Sequence, residues 1–173
     1  MTRDADCGKT MILNDWSNFF LGELGAAAAL AGLLFVSVSV NQTKILQLGR
    51  MADRGLEALA MLMLVLVVAS LPLVPGQPPR LLGGEIFVVA ALTLVATVQL
   101  QRVYLQQLEA QYRPRSARMV AINRSAVSVI ALAGLVLLWR GDAAGLYLLP
   151  AGFLLAFFAA GASAWVLLIE INR

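Results

Sequence analysis

Ala58-Leu-Ala-Met-Leu-Met-Leu-Val-Leu-Val-Val68 is apolar at every position. A strand of a membrane barrel alternates apolar and polar residues over segments of about 10, so this run is a helix in lipid. It opens an uncharged window of 22 residues that closes at Pro79. A bilayer core about 30 Å thick needs roughly 20 mostly apolar helical residues, which makes the distance between successive charges the useful measure. Four further windows appear: Leu24–Thr43 with 20 residues, Ile86–Gln101 with 16, Ser125–Trp139 with 15 and Ala143–Ile169 with 27. The Ile86 window lengthens if Glu85 sits at the headgroups and Arg102 snorkels. The Ser125 window extends back through Met119–Ile122 if Arg124 lifts its guanidinium to the surface. The spacing therefore predicts helices near 19–41, 56–74, 82–104, 119–139 and 145–170.

The connections agree. Residues 41–54 are polar and mixed in charge, Pro72-Leu-Val-Pro-Gly-Gln-Pro-Pro79 is rich in turn formers, and Gly141-Asp-Ala-Ala-Gly145 is a tight link. With 173 residues, five spans leave no room for a soluble domain, so residues 1–173 form a single all-α integral membrane bundle. Composition points the same way: 60% of residues are hydrophobic, 13% charged, and the mean hydropathy is +0.81. A soluble domain carries about 45–50% apolar and roughly 25% charged residues. Histidine is absent and Cys7 is the one cysteine, which excludes Ser-His-Asp triads, histidine or thiolate metal sites and intramolecular disulfides. No cofactor or metal is expected.

Lys and Arg in the connections set orientation. Lys44, Arg50, Arg54, Arg102, Arg113, Arg115, Arg118, Arg124 and Arg173 fall on one side, against Arg3, Lys9, Arg80 and Arg140 on the other. The prediction is N-terminus out, C-terminus in the cytoplasm. Residues 1–18 lack the basic start, short apolar run and cleavage site of a signal peptide, so the first helix is expected to be an uncleaved anchor. Trp16, Phe19 and Phe20, Trp139 with Tyr147, and Tyr104 with Trp165 fall where aromatic belts meet the two interfaces.

Lipid gives helices little hydrophobic reason to associate, so small residues that admit close backbone approach are the main device. The first helix carries Gly22, Gly25, Ala26, Ala28, Ala29 and Gly32, with Gly25, Ala29 and Gly32 on adjacent turns. The fifth repeats Gly152, Ala156 and Ala160. Either strip serves packing within one chain or an interface between copies, and a homo-oligomer is expected. The second helix, without a polar stripe, is expected to face lipid.

Ionisable groups inside spans are default functional candidates. At 100° per residue Glu23 shares a face with Asn41 and, nearly, with Ser37, while Glu85 and Gln99 share an arc on the third helix. If those helices are neighbours, the five residues form a polar line through the protomer or along an oligomeric pore. Past Gln99 the third helix is expected to continue as a glutamine-rich extension until Pro114 stops it. Arg113, Arg115, Arg118 and Arg124 follow as candidate contacts to anionic lipid. The patch is short and membrane-bound, so no nucleic-acid partner is expected.

The stretch Trp16-Ser-Asn-Phe-Phe-Leu-Gly-Glu-Leu-Gly-Ala-Ala-Ala-Ala-Leu-Ala-Gly-Leu-Leu-Phe-Val-Ser-Val-Ser-Val-Asn41, with Arg54-Gly-Leu-Glu-Ala-Leu59 and Leu73-Val-Pro-Gly-Gln77, resembles a family of small bacterial polytopic membrane proteins, some described as modulators of the FtsH protease. The resemblance covers about the first half of the chain and implies a multi-pass protein of the bacterial inner membrane, with a membrane protein as a further partner. Three function classes follow. The first is a non-enzymatic, self-associating scaffold or regulator of a membrane complex. The second is a homo-oligomeric ion or proton channel, or a small transporter, lined by the first and third helices. The third, an intramembrane enzyme, lacks a nucleophile with its base, and no enzymatic activity is expected.

Overall fold

The computed structural model describes residues 3–40, 50–106 and 113–171, with side chains described over 16–40, 54–102 and 117–165. Among these residues the regular elements are helices: α1 (Arg3–Val40), α2 (Arg50–Ser70), α3 (Pro79–Gln106), α4 (Arg113–Arg140) and α5 (Leu149–Ile171). Short 3₁₀ turns at Leu71–Leu73 and Ala143–Leu148 lead out of α2 and into α5. Each helix contains a segment long and apolar enough to cross a membrane: Trp16–Val40, Arg54–Leu73, Pro79–Arg102, Ala117–Arg140 and, with its preceding turn, Ala143–Trp165. The chain is an all-α bundle of the multi-pass membrane type.

Two boundaries differ from expectation for identifiable reasons. α1 begins at Arg3 rather than near residue 19. Charge spacing marks where the apolar span starts, whereas nothing in residues 3–18, which contain no proline, obliges the backbone to leave the helix earlier. Pro114, expected to stop the third helix, is the second residue of α4. Proline is favoured in a first turn because the N–H it lacks has no intrahelical partner there. Residues 107–112 of the glutamine-rich extension lie outside the described residues. At the other end of α4 Gly141 adopts φ 63° and its N–H reaches the Leu137 carbonyl at 2.9 Å, closing the helix in the left-handed conformation that glycine tolerates.

The second helix, expected to face lipid, is instead packed on three sides by other helices, with Leu56, Met63 and Val67 left exposed. Ala58, Met61, Leu62, Leu64, Val65, Val68 and Ala69 are buried, and α2 packs against α1, α3 and α5. A helix that is apolar all round offers no polarity contrast to tell its lipid side from its protein side, so the absence of a polar stripe never marked exposure. α4 completes the bundle by packing on α3 and α5. Peripheral position shows in the buried share of each span, 22% for α1 and 28% for α3 against 44% for α2, α4 and α5.

The α3–α4 pair crosses backbone on backbone. A Cβ built on Gly134 would lie 2.7 Å from the Phe87 nitrogen, and one on Gly83 would meet the Leu138 backbone. The strip on α5 is consumed in the same way, inside the protomer: Gly152 faces Ile130, and Ala156 and Ala160 are buried. Aromatics at the Trp16 end of α1 tie it to the 3₁₀ turn and α5. Trp16 meets Tyr147 edge-on at 5.0 Å and Phe19 stacks on Phe153 at 6.3 Å. Phe20 is fully buried, so it is core rather than belt, while Trp139, Tyr147 and Trp165 are exposed as belt residues would be.

Candidate functional site

Among the described residues, the polar side chains expected to line a pore, Glu23, Ser37, Glu85 and Gln99, do not converge within the protomer. α1 lies chiefly on α2 and makes no extended contact with α3. Glu23 is half-buried at the edge of the face that packs, and Ser37 donates back to the Leu33 carbonyl at 2.9 Å. On α3 the arc of Glu85 and Gln99 lies on the side opposite the buried Gln101. Gln99 is exposed, and Glu85 accepts a hydrogen bond from Gln77 in the preceding loop. Asn41 lies outside the described residues.

The site that the chain does build sits at the end of the bundle where α2 begins, α3 ends and α4 begins. Glu57 is 3% exposed, and its Oε1 accepts from Gln101 Nε2 at 2.5 Å and from Asn123 Nδ2 at 2.5 Å. Gln101 and Asn123 are themselves buried. Gln101 then accepts from Arg124 Nε through its own Oε1 at 2.9 Å. A carboxylate, a carboxamide and a guanidinium are thus joined in series across three helices. Polarity settles the middle link: a carboxylate only accepts and a guanidinium only donates, so the amide nitrogen must face Glu57 and the amide oxygen must face Arg124. Asn123 Oδ1 is buried with no hydrogen-bond partner.

Each partner is placed by the periodicity of its helix. Glu57 begins the stripe Met61, Leu64 and Val68; Gln101 continues that of Ile86, Ala90 and Thr97; Asn123 begins that of Val127, Ile130, Gly134 and Leu137. These residues recur at intervals of three, four or seven on the buried face. Glu57, Gln101 and Asn123 were not among the residues that charge spacing singled out. Glu57 falls one residue before an uncharged window and Gln101 is the last residue of another, so a search for charges within windows passes over both. Their register with the apolar stripe was the signal that could have found them.

Of the four arginines expected at lipid, Arg118 is exposed and Arg124 half-buried, while the side chains of Arg113 and Arg115 lie outside the described residues. The small-residue strip of α1 faces outward. Gly25, Ala29 and Gly32 are exposed, on the side away from the buried Phe20, Ala27, Ala31 and Leu34, and a Cβ on Gly22, Gly25 or Gly32 would meet nothing within 4 Å. Comparison with protein-family models, curated proteins and solved structures gives no match for this chain.

Proposed function

We propose that the chain is a non-enzymatic, self-associating scaffold or regulator of the bacterial inner membrane, assembling through the outward strip of α1. The observation that carries this reading is the exposure of Gly22, Gly25, Ala29 and Gly32 along one side of a membrane-spanning helix. A glycine within a helix costs about 0.5–1 kcal/mol relative to alanine, and lipid chains gain nothing from a groove. A second helix does, because small residues let two backbones approach and replace lipid contacts with tighter ones. The corresponding strip on α5 is already occupied inside the protomer, which leaves α1 as the surface available to another copy.

The orientation of this reading is N-terminus out and C-terminus in the cytoplasm, from the distribution of Lys and Arg. It predicts that an impermeant thiol reagent labels Cys7 in intact spheroplasts; labelling only after lysis would reverse the orientation. The resemblance of the first half of the chain supports the inner-membrane placement and a membrane protein complex as the larger context. Self-association is tested by the mass of the purified protein in nanodiscs. Wild type is expected above the monomer mass and Gly25→Leu at it, and a monomeric wild type would refute the reading.

A further inference from the structure

Arg124 carries an inference independent of self-association. Its Nε donates to Gln101, and among the described residues no carboxylate lies within ion-pair distance of its guanidinium. A guanidinium has five N–H donors in a planar fork, so four remain on a side chain whose direction is already set. That direction is held from below: Gln101 is fully buried, and Glu57 fixes which way its amide points. The guanidinium thus meets Gln101, the last residue of the uncharged stretch Ile86–Gln101 and the one directly before Arg102. Arg124 therefore reaches toward the end of that uncharged stretch, as snorkelling side chains reach toward headgroups.

Among the described residues the charge around Arg124 is mostly positive. Arg54, Arg102, Arg118 and Arg124 are described at this end of the bundle, against the single buried acid Glu57. An oxygen-rich anion at headgroup depth is what such a fork accepts, since guanidinium and phosphate pair through two parallel hydrogen bonds. We propose that Arg124 seats the phosphate of an anionic phospholipid in the leaflet at the Glu57 end of the bundle, with Glu57 and Gln101 as positioning residues behind it. This is a single oriented seat, unlike the diffuse attraction that any cluster of arginines exerts on a negative membrane.

The test is lipid retention by the purified full-length protein, read by native mass spectrometry after exchange into phosphatidylglycerol or phosphatidylcholine micelles. Wild type is expected to retain phosphatidylglycerol at least fivefold more than phosphatidylcholine. Arg124→Gln removes that preference, and Arg124→Lys, which keeps the charge without the fork, weakens it at least threefold. Gln101→Leu weakens it similarly although Arg124 is intact, whereas Arg102→Gln, an equal loss of charge at an exposed neighbour, leaves it within twofold. Equal losses in Arg124→Gln and Arg102→Gln, or no preference in wild type, would overturn the proposal. Displacement of the lipid by millimolar inorganic phosphate would do so too, by making the ligand a soluble anion. Should Arg124→Gln not yield folded protein, the comparison of Arg124→Lys with Arg102→Gln decides.

Discussion

The strips on α1 and α5 are written in the same alphabet and meet opposite fates. Gly152, Ala156 and Ala160 are buried against the rest of the bundle, while Gly25, Ala29 and Gly32 stand open. The difference lies in the neighbours. α5 is flanked by α2 and α4, whereas α1 leans chiefly on α2 and turns its other side outward. Spacing of small residues thus says that a backbone can be approached closely, and only the packing says by what.

Substitutions can break this contrast, and the largest effect is expected inside the bundle. A Cβ on Gly152 would lie 2.6 Å from Ile130 Cγ1, so Gly152→Leu should destabilise the fold by about 3 kcal/mol, read as the shift of the denaturation midpoint in mixed micelles. Next comes the polar cluster that holds α2, α3 and α4 together at one end. Glu57→Ala leaves the buried amides of Gln101 and Asn123 without their acceptor and should cost about 1–3 kcal/mol. Glu57→Gln, which keeps an oxygen to accept, should cost less than half of that in the same assay. The smallest effect belongs to the outer strip: Gly25→Leu meets empty space and should move protomer stability by no more than about 0.5 kcal/mol. If Gly25→Leu unfolds the protein as Gly152→Leu does, the two strips are not different in kind.

The extent of the bundle was legible because uncharged length is a direct physical requirement for crossing hydrocarbon. Arg140, which ends the apolar span of α4, directly follows Trp139, the last residue of its sequence window. Burial was less legible for a related reason. In α2 a leucine that faces outward and one that faces protein are chemically alike, so Leu56 and Leu64 differ in exposure without differing in character. The Glu57 cluster escaped notice because it joins residues from three helices, 44 and 66 positions apart in sequence, at the rims of their spans. Glu23 and Glu85 stood out as acids within the expected spans, close to their outer ends, yet charge alone does not bring two helices together.

Disulfide cross-linking along α1 in native membranes tests the central claim most directly. With Cys7 replaced by serine, single cysteines at Gly25, Ala29 and Gly32 should form dimers under mild oxidation, since bridging needs Cα atoms within about 7 Å. Cysteines at Ala27, Ala31 and Leu34, which are buried against the bundle, should not. Dimers absent from the first set, or formed equally by both, would contradict the assignment of this surface to a second copy of the chain.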